Sequence, residues 1–231
     1  MDDSPDQHGI SFREYDPQDM RACARLAEEA WPAAPELVPE DEGSWGMEGY
    51  IESSSLWSNW RDVACDSNSV IGFLFGRIDK HEGGVALVKS TFGEFSMIGR
   101  FLFGKNGRPP GMLGLFWNLL LTEMKLMVKM PRSDAEIELF IVDSQRRGRG
   151  IGRMLVDRFV KAAKESGASL VTVYTDDKTS DWQFYEKYGF RRVGTFYDNL
   201  TSYFANVHSN GIIFVLDLEN APEPADLGKS Q

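Results

Sequence analysis

The run "AEIELFIV" (135–142) passes, after two more residues, into "QRRGRGIG" (145–152), and no other feature limits the fold so much. Apart from its two glutamates the run is apolar, and it predicts a buried strand. From 149 to 166 the residues Ile151, Leu155, Phe159, Ala162 and Ala163 recur on one face of a helix, and Gly167 supplies its stop. "SLVTVYT" (169–175) follows directly as a β-branched strand. Two strands joined by one helix make a parallel βαβ unit with a right-handed crossover.

The corner between strand and helix carries three arginines and three glycines in eight positions. Gly148, Gly150 and Gly152 let the backbone turn tightly and leave its N–H groups exposed. Added to the positive end of the helix dipole, those donors predict a phosphate or pyrophosphate site, which Arg146, Arg147 and Arg149 supplement. The chain as a whole has a net charge of −10. Such a field repels nucleic acid and anionic lipid, so an anionic ligand must be held by a local device of this kind. A dinucleotide-binding turn has similar spacing, but here the motif lies after residue 140, out of the context of that fold. No glycine of this corner is followed by Lys-Ser or Lys-Thr, so it is not a P-loop.

Outside this unit, "ISFREY" (10–15) alternates as a strand, and Asp16-Pro17 opens a helix with Met20, Cys23, Ala24 and Ala27 at helical spacing. A loop is expected over 32–43 and a helix over 44–58. "WRDVACD" and "VIGFLFGRID" (70–79) read as a hairpin. "DWQFYEKY" (181–188) is a short helix ended by Gly189, and "RRVGTFY" and "GIIFVLDL" (211–218) are late strands joined by a long connection. Residues 1–8 and 220–231 are expected to fray, which leaves one domain over 9–219 with a helical insert at about 80–130.

The motif and the later "FYEKYGF" (184–190) together resemble the GNAT superfamily of acyl-CoA-dependent N-acyltransferases. Gln145, Gly148 and Gly150 meet its R/Q-x-x-G-x-G/A signature after a central strand. Phe184, Tyr185, Gly189 and Phe190 meet its second motif, and the strand order agrees over roughly 10–218, apart from the insert. The resemblance implies a GNAT-like α/β fold: a mixed, mostly antiparallel central sheet with helices on both faces and one parallel βαβ crossover. It implies acetyl-CoA as co-substrate, its pyrophosphate on the amides of Arg147, Gly148, Arg149, Gly150, Ile151 and Gly152. It also implies that an amide around Ile141 or Val142 polarises the thioester carbonyl. An amine then attacks directly, so no enzyme nucleophile is required, and Tyr185 stands where the family has its general acid. The structural alternative for Tyr185 is a core aromatic beside Trp182. Where many relatives carry asparagine this chain has Asp181, which is read as a cap of the short helix.

An amine is protonated at neutral pH, so a base is useful. Glu136 and Glu138 share a face by strand alternation, and Glu138 is preferred, with Glu136 second. A salt bridge to a neighbouring strand is the competing role for either. Cys23 and Cys65 lie in unrelated segments with no metal-ligand spacing, and His8, His81 and His208 are scattered, so no metal is expected. No basic leader precedes an apolar run, so a cytoplasmic protein is expected. "GMLGLFWNLLLTEMKLMVKM" (111–130) is too interrupted for a membrane span. Its apolar residues go nearly all round a helix, which predicts burial on more than one side, with a lid or a homodimer face as alternatives. The function read from these features is acetyl transfer to a small-molecule or peptide amine, with no nucleic acid or membrane partner. A non-catalytic acyl-CoA sensor is the rival.

Overall fold

The computed structural model describes residues 9–34, 45–67, 69–79 and 111–219. Seven strands form one sheet: β1 Ile10–Glu14, β2 Trp60–Asp66, β3 Ser69–Ile78, β4 Ala135–Val142, β5 Leu170–Asp176, β6 Arg191–Tyr197 and β7 Asn210–Asp217, in the order β1-β2-β3-β4-β5-β7-β6. All neighbours are antiparallel except β4 and β5. Six α-helices surround it: α1 Met20–Ala30, α2 Trp45–Trp57, α3 Met112–Lys129, α4 Ile151–Glu165, α5 Gln183–Tyr188 and α6 Asn199–Phe204. The expected α/β class, mixed sheet and parallel crossover are all present.

Each face of the sheet carries its own core. Ile151, Leu155, Phe159 and Ala163 of α4 and Tyr185 and Tyr188 of α5 pack on one face. Cys23, Ala24, Leu26 and Ala27 of α1 and Ile51 of α2 pack on the other. The start of α1 follows from its sequence, since Asp16 accepts from Gln18 N while its own N–H donates to Asp19 at 2.9 Å.

Strand β4 changes face part-way along. Phe75 on β3 faces Leu139, but its neighbour Gly76 faces Ile137, so Glu138 has no partner of its own and forms a bulge. Before the bulge Ala135 and Ile137 point into the α4 core. After it Leu139 and Ile141 point into the α1 core, while Phe140 and Val142 pack toward α4. A strict two-residue period through the strand therefore fails at Glu138.

Two expectations need correction. Helix α3 is not wrapped in core: Leu113, Trp117, Met124, Met127 and Val128 are exposed, the last by 85%, and among its described side chains only Thr122 is buried. Its apolar residues therefore do not measure burial. The long connection between β6 and β7 also holds an unforeseen helix, α6, capped by Asp198, which accepts from Thr201 N. Residues 35–43 of the loop expected over 32–43, the first part of the insert, 80–110, and both ends expected to fray lie outside the described residues. Among the described residues no helix is long and apolar enough to cross a membrane.

Candidate active site

The parallel pairing of β4 with β5 stops early. Ala135, Glu136 and Ile137 pair with Val171, Thr172 and Val173, and no later pair is made, although β4 continues to Val142 and β5 to Asp176. The two strands part there as a fork. Asp143 N donates to Ile71 O on β3 at 2.9 Å, so by alternation the N–H groups of Leu139 and Ile141 also face β3. Those of Phe140 and Val142 face the open side. Of the two amides expected to polarise a thioester, Val142 has the orientation for it and Ile141 does not.

From the fork the chain turns through a short 3-10 segment, Ser144–Arg146, where Asp143 accepts from Gln145 N at 2.8 Å. Gly148 and Gly150 then take φ of +79° and +80°. A Cβ at either would meet nothing within 4 Å, so these glycines are required by their backbone angles and not by space. Gly152 has the opposite reason: a Cβ there would lie 3.1 Å from the Phe140 ring. Gly150 caps α4 without a side-chain hydrogen bond, and the first intrahelical bond runs from Met154 N to Gly150 O. No side-chain cap satisfies the first-turn N–H groups of α4, and the loop is exposed. That is the local arrangement that takes an anion by its backbone.

The arginines divide. Arg146 pairs with Asp66 at 2.8 Å and so braces the loop against β2. The Arg147 Nε lies 3.5 Å from Val142 O, at the fork, and Arg149 is exposed.

Tyr185 lies on α5 within an aromatic group formed with Phe140, Phe184, Phe190 and Phe214, at centroid distances of 5.5–6.4 Å. Phe140 belongs to the strand that borders the fork. Burial, and secondarily the Asp181 charge, push the Tyr185 hydroxyl well up, so it stays protonated at neutral pH. Tyr188 is engaged elsewhere, donating to buried Asp157 on α4 at 2.6 Å. The Asp181 side chain does not cap α5; only its carbonyl accepts, from Phe184 N.

The strand glutamates are ion-paired. Arg77 on β3 reaches Glu136 at 2.8 Å, Glu138 at 3.0 Å and Asp79 at 2.7 Å, and Ser58 at the end of α2 donates to Glu138 at 3.0 Å. Burial raises both carboxyls, Glu136 to about 7, against the opposing pull of Arg77. Glu138 sits in the bulge, one residue beyond the last parallel pair. Arg77 and Ser58 were not singled out by the sequence. A single arginine at the end of a hairpin strand carries no local mark of such a role, and only the register brings it opposite the glutamates.

Cys23 and Cys65 are free and buried, and burial pushes both thiols up, which makes them poor nucleophiles. Among the described residues no group of three or more His, Cys, Asp or Glu could hold a metal ion.

Among the described residues the sheet is forked at its one parallel pair, with an uncapped helix behind a glycine corner. Residues 106–192 match the family model for the acetyltransferase (GNAT) domain, a segment that contains the fork, the corner and Tyr185. Over those residues the chain is similar to that acetyltransferase domain. No curated protein matches it in sequence. Solved structures share the fold. The Drosophila melanogaster polyamine N-acetyltransferase, 18% identical, has a TM-score of 0.55 over 90% of this chain and 99% of that one. The ribosomal-protein-S18-alanine N-acetyltransferase of Escherichia coli, 12% identical, has 0.53 over 93% and 97%. An aminoglycoside 6'-N-acetyltransferase complexed with coenzyme A, 16% identical, has 0.52 over 91% and 98%.

Proposed function

We propose that residues 9–219 act as one cytoplasmic N-acetyltransferase unit, which moves the acetyl group of acetyl-CoA to a primary amine by direct attack in a ternary complex. The observation that carries this reading is the fork, whose open strand ends at the uncapped turn of α4. Free, buried cysteines fit a reducing compartment.

The amides of Arg147, Gly148, Arg149, Gly150, Ile151 and Gly152 would take the pyrophosphate of the coenzyme, and the free edge of β4 would take its pantetheine arm. The Val142 N–H would donate to the thioester carbonyl and stabilise the oxyanion as the amine nitrogen adds to the carbonyl carbon. Collapse of that intermediate breaks the C–S bond, and the departing thiolate takes its proton from Tyr185. The amine's own proton passes to Glu138, with Glu136 second, directly or through a water. Buried carboxyls with raised proton affinity suit that role better than ordinary ones.

The acceptor is cationic in this reading. Asp79, Glu136 and Glu138 surround Arg77, and the Glu123 charge acts on Glu136. Agmatine and aminoglycosides, the substrates named for structural neighbours, are cations of this type; a peptide amine is the alternative, the S18 neighbour being named for an alanine of a ribosomal protein. One observation favours a second reading, a non-catalytic acyl-CoA sensor: Arg77 already occupies both glutamates.

Free thiol released from acetyl-CoA in the presence of a panel of amines tests the choice. Turnover that falls in Tyr185→Phe supports the enzyme. Tight coenzyme binding without turnover, unchanged in Tyr185→Phe, supports the sensor and rejects the enzyme.

A further inference from the structure

Helix α3 is tied to one short segment by polar contacts along a single stripe. Thr122 Oγ1 donates to Asp198 Oδ1 at 3.2 Å and accepts from Leu200 N at 3.0 Å. The Lys125 ammonium donates to Tyr197 O at 2.8 Å and to the Asn199 side chain. Tyr203 Oη donates to Gly111 O at 3.0 Å, and a Cβ on Gly114 would collide with that hydroxyl. Apolar contact alone would let a helix rotate or slide; these directional bonds fix its rotation and height.

The stripe continues toward the fork. Asp198 is 1% exposed, and Thr122 and Thr201 N occupy its Oδ1. Its Oδ2 and Tyr174 Oη are both buried, and neither completes a well-formed hydrogen bond, although the carboxylate stands next to the phenol. Tyr174 is the first residue of β5 beyond Val173, the last one paired with β4, and its ring stacks on Phe196 at 5.7 Å. Two residues earlier on the same face of β5, Thr172 lies opposite Glu136. Glu123, beside Thr122 on α3, acts electrostatically on both Glu136 and Tyr174.

We propose that Thr122, Asp198 and Tyr174 are positioning residues that set α3 as the acceptor-side wall of the fork, so that this helix governs acceptor fit. The proposal rests on the acetyltransferase reading above. A buried donor and acceptor that meet with poor geometry are costly, and a small shift of the line improves their bond. An amine seated between Glu123 and Glu136 draws the wall in that direction, and its binding is then coupled to the position of α3.

The test compares KM for the acceptor with KM for acetyl-CoA. Thr122→Val removes the first link, and Tyr174→Phe removes the last while keeping the stacked ring, so the second variant keeps the fold if the first weakens it. Each should raise the acceptor KM about fivefold, the size of one lost hydrogen bond, with kcat and the acetyl-CoA KM within about twofold. Thr122→Ser, which keeps the hydroxyl, should behave as the native protein. An acceptor KM that stays put in both variants overturns the proposal, as does a parallel rise in both KM values with a fall in Tm, the mark of general loosening. If the native protein releases no thiol with any amine, the acetyltransferase reading itself is rejected, and the proposal with it.

Discussion

Arg77 Nη1 stands 3.0 Å from Glu138 Oε1, and the same guanidinium holds Glu136 at 2.8 Å. The arginine is 14% exposed and its partners 17% and 27%, so the pair lies largely out of water. Removing one partner of a buried pair leaves the other charge uncompensated, and the loss exceeds the worth of the pair itself. Arg77→Met is expected to cost about 3 kcal/mol in urea unfolding. Glu138→Gln, which keeps a neutral acceptor for Ser58, should cost less.

The carboxyl of Glu136 is raised to about 7 chiefly by burial. The native state therefore holds a proton that the unfolded chain has lost above its ordinary value of about 4.3. Stability from this group is present below that value and is lost as pH rises through about 7. Thermal unfolding followed from about pH 4 to about pH 8 should show the decline, and Glu136→Gln should flatten it. Acetyl transfer runs the other way, since the base must be ionised: kcat/KM should rise with pH over the same range and titrate as a coupled pair.

Gly150 and Gly152 should fail for different reasons. Gly150→Ala forces a side chain into a φ of +80° and is expected to cost about 1–2 kcal/mol. Gly152→Ala keeps a helical backbone but presses on Phe140, with a cost of about 1 kcal/mol. Calorimetry should show weaker coenzyme binding in both, by roughly tenfold for Gly150→Ala, because its amide is in the turn that faces the pyrophosphate.

Two tyrosines on α5 separate chemistry from structure. Tyr185→Phe keeps the aromatic contacts, so Tm should hold within a few degrees while kcat falls by about a hundredfold.

Tyr188→Phe should do the reverse. It removes the hydroxyl that donates to buried Asp157, which Arg153 also approaches at 3.7 Å. A cost of about 1–3 kcal/mol is expected in denaturant unfolding, with kcat nearly unchanged.

The strands, the crossover helix and the glycine corner were legible because each rests on local rules. Apolar period separates strand from helix, and a left-handed φ at Gly148 and Gly150 calls for glycine whatever packs nearby. The same rules put Glu136 and Glu138 on one face, but they could not show the bulge, which belongs to the pairing of two strands. Nor could they decide between a base and a salt bridge.

What the sequence alone determined is the sheet's parallel unit and the glycine turn that opens α4, since both follow from neighbours within a few residues along the chain. The tertiary structure decided where the strands part, which amide faces the gap, and that Arg77, some sixty residues from the glutamates, neutralises them. It also placed α3 on Asp198 and left a stripe of its apolar residues in solvent, against the expectation from its composition. Register, pairing across the sheet and helix docking are contacts between distant segments, and no local pattern encodes the partner.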